Sequence, residues 1–482
     1  VVLETQESPV LAVDLDGTLL RTDSLIESLL ALLREQPFAS AAVMLALSRG
    51  RAGFKAWVAD QVALEMSLLP LNSPLVEWLQ SQRSAGRRLV LVTASDRRIA
   101  AAMAERVDLF DEVLASDGER NLKGETKAAA LVARFGRGGF DYVGDARADI
   151  PVWSAARRAI VVGGPRLERA ALQVAQVERV FPPERGRTTA LLRALRLHQW
   201  VKNLLILLPL LAAHQWTDVP SLLAAALAFL AFGLTASSVY LLNDLLDLSA
   251  DRQHPSKRRR PFAAGDLPLV WGLLLTPLLL LAATILSLLA LPPIFTLALG
   301  GYFLLTSAYS FGLKRKPILD VMLLAALYTM RVIAGAAAVA IPISFWLLAF
   351  SMFMFLSLAL VKRYTELQGL LERGELAATG RGWHVDDLPL VQTLGTSAGM
   401  VCVLVLALYI DSEPAQLLYA TPEALWLVCP LLLFWISRLW FKTHRGEMHD
   451  DPVVFALRDR LSLLIGALTA GIVLMATLGI SS

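Results

Sequence analysis

The chain has 482 residues, enough for two or more domains, with 56% hydrophobic residues and a mean hydropathy of +0.55. That is too apolar for a soluble chain of this size, so a large part of it belongs in lipid. The formal net charge of +3 averages two unlike halves and gives no case for a nucleic-acid partner, and Cys402 and Cys429, both inside apolar runs, exclude a disulfide framework or a thiolate metal cluster.

The opening residues VVLETQESP are polar and lack the apolar core of a secretory signal, so the first domain is expected to be cytoplasmic. Residues 9–16, PVLAVDLD, read as a short buried strand ending in acid, and strand alternation puts Asp14 and Asp16 on one side. A second strand, residues 88–93, ends in the hydroxyl of Thr93. A third, residues 140–143, is followed by Asp145 and then Asp149. Strands whose C-terminal ends carry these groups describe an open α/β sheet with its site at the carboxyl edge. Between them, residues 99–107 and 126–135 show helical apolar spacing, and residues 23–70 form a helix-like insert.

These residues resemble the haloacid dehalogenase phosphatase superfamily over roughly residues 8–165, with its DxDGT signature present as Asp14-Leu15-Asp16-Gly17-Thr18. The resemblance implies that Asp14 is the nucleophile and Asp16 the general acid/base. Thr93 matches the family hydroxyl. The resemblance also implies Mg²⁺ held by Asp14 and Asp145 with Asp149 behind them, with Asp16 counted in the metal site. The family lysine corresponds to Lys123 or Lys127, of which Lys127 opens the helix leading to the third strand. The 23–70 insert would be the cap over substrate.

Residues 181–190, FPPERGRTTA, break the pattern and set the expected boundaries: a phosphatase-like domain over 1–180, a linker and interfacial helix over 181–200, and a membrane domain over 201–482. Nine apolar spans are expected, near 201–213, 221–242, 269–290, 293–310, 318–340, 343–361, 389–410, 422–440 and 461–480, the first of them short. The turns near 214–220, 291–293, 340–343 and 411–423 contain no Lys or Arg, whereas the alternate loops are rich in both. By the positive-inside rule the charged loops face the cytoplasm, as the first domain does.

The membrane half is organised around residues 243–265, NDLLDLSADRQHPSKRRRPFAAG. On one continuous helix Asp244, Asp247 and Asp251 share a face beside Asn243. Three like charges there repel one another unless a divalent cation sits among them, and Mg²⁺ takes carboxylates together with substrate phosphates. Lys257, Arg258, Arg259 and Arg260 follow at once and suit phosphate oxygens. Three further segments on the same side carry polar chemistry. The first holds Tyr309, Lys314, Lys316, Asp320 and the deeply placed Arg331, a costly charge in lipid and therefore a functional candidate. The second is Lys362-Arg363, and the third holds Glu447, Asp450, Asp451 and Arg458.

Across residues 190–482 the chain resembles the UbiA superfamily of intramembrane transferases, with NDxxDxxxD present from Asn243 to Asp251. QWVKN at 199–203, which contains Lys202 and Asn203, YSFGLK at 309–314 and GEMHDDPVVFAL at 446–457 resemble the branch acting on decaprenyl phosphate. Quinone-type members carry a second aspartate pair, but here Asp320 is followed four residues later by Leu324. The resemblance implies phosphoribosyl pyrophosphate as donor, a polyprenyl phosphate lipid as acceptor and one Mg²⁺ site in each domain. The setting implied is a bacterial-type plasma membrane, with both active sites on the cytoplasmic side. The fold class expected is thus two-domain: an α/β sheet with a helical cap, then an all-α polytopic bundle. The runner-up is an aromatic prenyltransferase of quinone or haem type with a separate phosphatase, and homo-oligomerisation is left open.

Overall fold

A computed structural model describes residues 9–36, 40–48, 50–117, 119–183, 186–377, 381–448 and 451–479. Its contacts fall into two compact units, Val1–Leu195 with Tyr240–Thr276, and Arg196–Val239 with Pro277–Ser482.

The first unit is built on six parallel strands: β1 (Val10–Val13), β2 (Leu89–Asp96), β3 (Glu112–Ser116), β4 (Phe140–Gly144), β5 (Arg158–Val162) and β6 (Gln176–Phe181). Their order is β3-β2-β1-β4-β5-β6. β1 reads as an unbroken apolar run because its side chains alternate between two covered faces, while β4 carries Asp141, buried against Arg87 and Arg157. Leu11 and Val13 pack on one face with Leu89 and Leu91, while Ala12 packs on the other with Val90, Tyr142 and Trp153. β1 lies between β2 and β4, so Asp14 leaves the centre of the carboxyl edge. The 23–70 insert forms helices Ser24–Glu35, Ser40–Leu47 and Gly50–Gln61, as its pattern predicts. β2 runs three residues beyond its predicted end, which makes Thr93 a mid-strand residue rather than a terminal one.

The described residues include eight helices long and apolar enough to cross a bilayer: Val219–Leu246, Leu269–Ala290, Pro293–Phe311, Pro317–Ala338, Phe345–Glu372, Val385–Ile410, Pro422–His444 and Arg460–Leu478. The expected ninth, near 201–213, is different. There Leu197–Leu207 forms 3-10 turns followed by the five-residue helix Leu208–Ala212. Lys202 and Asn203 are buried, so one side of this segment packs against protein, while Leu204 and Leu211 on it are exposed. It lies against Pro317–Ala338 where Gly335 leaves no side chain; a Cβ there would run into the Ile206 carbonyl.

Candidate active sites

At the carboxyl edge of the sheet, one oxygen from each of Asp14, Asp145 and Asp149 lies within 4.8 Å of the others. Lys127, near the start of helix Glu125–Phe135, reaches in: its Nζ is 2.8 Å from Asp14 Oδ2 and 3.8 Å from Asp149 Oδ1. It donates to the Tyr142 hydroxyl at 2.8 Å, and that hydroxyl donates to Asp149 Oδ1 at 2.9 Å. Burial alone would lower the Lys127 ammonium, but Asp14 and Asp149 overcome it and hold it raised. Burial and the neighbouring Asp14 push Asp145 well above the usual carboxylate range, and Asp149 is raised for the same two reasons. One ammonium does not balance three clustered carboxylates, and that excess of hard oxygen donors fits a divalent cation such as Mg²⁺. Gly17 stands at φ +74°, and a Cβ on it would strike the Asp145 carboxylate, so glycine lets that acid close on the cluster.

Two expected members stand elsewhere. Lys123 makes no ion pair among the described residues, and Lys127 takes the place beside Asp14. The Asp16 carboxylate is outside the trio: its Oδ1 accepts from the Ser24 N–H at 2.8 Å, and its Oδ2 accepts from the Ser95 hydroxyl. Burial, then the charge of Asp23, push Asp16 up to about 6, a range suited to giving and taking a proton near neutrality. The Thr93 hydroxyl is buried and accepts from the Ser95 N–H at 3.0 Å, which fixes the end of β2 that presents Ser95. Sequence reasoning missed Ser24, Ser95 and Lys55. Lys55, on the helix Gly50–Gln61, donates to the Ala94 carbonyl at 2.7 Å, and the charge of Asp16 acts on it. Lys55 is the single lysine of the 23–70 insert, and that was the available signal.

In the same unit, the helix carrying Asn243 and Asp244 ends at Leu246, and a new one begins at Leu248, with Asp247 at the break. The three aspartates therefore do not share the uninterrupted face expected of them. Asp244 and Asp251 are buried, and both accept from Arg260 Nη1, at 3.1 and 2.7 Å. The donor type suits Mg²⁺, but the Arg260 guanidinium is the cation that joins two of the acids here. Among the described residues, only Asp14, Asp145 and Asp149 gather as tightly as a single-ion site requires. Lys257, Arg258 and Arg259 form one 3-10 turn, with Arg258 and Arg259 exposed.

The second unit brings distant candidates together. Lys202 Nζ lies 2.7 Å from Asp451 Oδ2, Lys362 Nζ lies 3.7 Å from the same oxygen, and the Tyr328 hydroxyl donates to Asp451 at 3.3 Å. Arg331 is buried; it donates to Asn203 Oδ1 at 3.1 Å, to the Leu327 carbonyl at 2.6 Å and to the Tyr302 hydroxyl at 3.1 Å. The rings of Tyr302, Phe232 and Tyr328 surround its guanidinium at 5.0, 5.2 and 5.7 Å. Tyr302 and Tyr328 were missed because aromatic residues in apolar helices read as packing; the spacing of three between Tyr328 and Arg331 was the clue.

Asp320 is fully buried with Arg363, whose Nη2 is 2.7 Å away. It also accepts from Tyr309 at 2.9 Å and from the Trp383 indole at 2.8 Å. Lys314 lies in the short 3-10 turn Leu313–Arg315, and Lys316 joins that turn to the helix Pro317–Ala338. Glu447 pairs with Lys442 at 3.0 Å, Arg458 is exposed at its helix end, and Asp450 lies outside the described residues. Elsewhere in this unit, an apolar cavity of about 1120 Å³ is lined by residues such as Leu208, Phe350, Leu432 and Trp435.

A family model described as the UbiA prenyltransferase family matches residues 204–464, and one described as haloacid dehalogenase-like hydrolase matches residues 11–154. The chain is 38% identical over 467 residues to protein y4nM of Sinorhizobium fredii, covering 96% of this chain and 90% of that one. It is 35% identical to nodulation protein NoeC of Azorhizobium caulinodans, over 58% of this chain and 92% of the relative. It is 34% identical to decaprenyl-phosphate phosphoribosyltransferase of Mycolicibacterium smegmatis, over 58% of this chain and 89% of the relative.

Proposed function

The chain belongs to the UbiA prenyltransferase family and carries a haloacid dehalogenase-like hydrolase domain ahead of a multi-pass membrane domain, and from that premise we propose a two-step enzyme. In the first step, a polyprenyl phosphate oxygen attacks the anomeric carbon of phosphoribosyl pyrophosphate, and the C1–O bond to pyrophosphate breaks with its electron pair leaving on pyrophosphate. The acceptor is already an anion at neutral pH, so positioning and charge stabilisation suffice. By chemistry, Arg260 in the first unit and Lys202, Lys362 and Arg331 in the second are cationic groups suited to anionic oxygens, and the second unit's apolar cavity suits a lipid tail. Mg²⁺ at Asp244, Asp247 and Asp251 would supply charge neutralisation for the departing group.

In the second step, Asp14 attacks the 5-phosphate of the lipid-linked sugar and forms an aspartyl phosphate. The sugar oxygen leaves with a proton from Asp16. Asp16 then removes a proton from the water that releases phosphate. Lys127 and Thr93 hold the phosphoryl oxygens. Mg²⁺ held by Asp14, Asp145 and Asp149 would neutralise charge on the same group.

The product is polyprenyl-phospho-ribose. The observation that carries this reading is the pairing of Lys127 with Asp14 in an acid-rich phosphomonoesterase arrangement, on the same chain as a domain related to a phosphoribosyltransferase. Tethering raises the effective concentration of the first product at the second site. The Lys/Arg loop asymmetry supports a cytoplasmic location for both sites in a bacterial plasma membrane, with the domain limits at 1–180, 181–200 and 201–482. The test is transfer of label from ribose-labelled phosphoribosyl pyrophosphate into lipid by purified protein with Mg²⁺. Wild type should form labelled lipid and Asp244→Asn should not; label entering lipid equally in both rejects the transferase assignment.

A further inference from the structure

The phosphatase chemistry leaves one feature of the first unit unused: a cavity of about 770 Å³ at the carboxyl ends of β4, β5 and β6. Its lining includes Gly17 and Asp145, so it opens directly beside the carboxylate trio. It lies within the range of about 300–1,000 Å³ typical of whole small-molecule sites, far more than a phosphomonoester head needs. Five arginines line it, Arg21, Arg147, Arg166, Arg169 and Arg187, against two acids, Asp145 and Asp266. Asp266 is committed to Arg21 at 3.4 Å and Arg193 at 3.8 Å. Arg147, Arg166 and Arg187 are exposed and make no ion pair among the described residues. Three guanidinium groups with no carboxylate of their own, beside a site that already binds one phosphate, call for a second anion.

We infer that this cavity binds a second phosphate on the phosphatase substrate, so that the domain acts on sugar phosphomonoesters carrying another phosphoryl group. This rests on the two-step reading and deepens it. The 5-phosphate sits at Asp14 and Lys127, and the phosphate on C1 sits among the arginines. Gly265, Asp266 and Pro268, just beyond the NDxxDxxxD stretch, form part of the wall, so chain from the transferase half helps select the substrate.

The test uses full-length Asp14→Asn protein, which cannot form the aspartyl phosphate, and calorimetric titration with three probes: ribose 5-phosphate, ribose 1,5-bisphosphate and farnesyl-phospho-ribose 5-phosphate. The two probes with a second phosphate should bind at least tenfold more tightly than ribose 5-phosphate. Adding Arg166→Ala and Arg187→Ala should close that gap, and Arg166→Lys with Arg187→Lys should restore part of it. A gap for both doubly phosphorylated probes assigns recognition to the phosphate, and a gap for the farnesyl probe alone assigns it to the lipid and overturns the inference. Equal affinity for all three probes, or a gap that survives the alanine variants, overturns the inference. Failure of the two-step reading shows separately, as absence of phosphate release from the farnesyl probe by wild-type protein.

Discussion

Two groups of three aspartates lie in this chain, and they are held in opposite ways. Asp14, Asp145 and Asp149 project from strand ends and a following turn, converge within 4.8 Å, and keep Lys127 beside them. Asp244, Asp247 and Asp251 follow one another along a chain that breaks its helix at Asp247, and one side chain, Arg260, joins two of them. A parallel sheet fixes its loop origins about 4.8 Å apart and brings distant residues together without a ligand. A helix end offers no such convergence. On this account the first site is preorganised, whereas the second needs its substrate's phosphates and metal to complete it.

The largest expected effect is metal removal. Chelation should abolish phosphate release and lipid labelling, and added Mg²⁺ should restore both; steeper metal dependence of labelling than of phosphate release would sharpen the contrast between the two sites. Next comes Lys127→Met, which should lower phosphatase kcat/KM by about 10²–10³, the scale of losing one preorganised electrostatic contact. Arg260→Met should act more gently, raising the KM for phosphoribosyl pyrophosphate about tenfold, the scale of one charge-assisted hydrogen bond. Equal losses from the two substitutions would break the comparison. Asp320→Asn probes a third acid, sealed against Arg363. Arg363 keeps its second partner, Glu366, so the loss should fall below the roughly 3–5 kcal/mol of a wholly unpaired buried charge, read as a lower melting temperature in detergent.

Much of the first site was legible because its chemistry sits where apolar runs stop. PVLAVDLD and the Asp145 turn each mark a strand end, RLVLVT stops three residues short of one, and Lys127 at a helix start stands out from Lys123. β3, β5 and β6 were not read: they are short and carry none of the site's acids at their carboxyl ends, and β3 and β6 lie at the sheet edges and mix polar with apolar residues. In the membrane half, apolar length identified eight helices, and at 201–213 it marked a short apolar segment built of 3-10 turns and a five-residue helix in which Lys202, Asn203 and Pro209 are buried. The convergence of Lys202, Tyr328, Lys362 and Asp451 spans about half the chain, beyond what periodicity reports. Asp247 was assigned to a continuous helix because nothing local, neither Gly nor Pro, announces the break.

The central claim, that one chain first attaches phosphoribose to a lipid and then removes its 5-phosphate, is tested most directly by mass analysis of the lipid product from Asp14→Asn and wild-type protein given both substrates. The account predicts polyprenyl-phospho-ribose from wild type and its 5-phosphorylated form from Asp14→Asn. The same product from both proteins would contradict it.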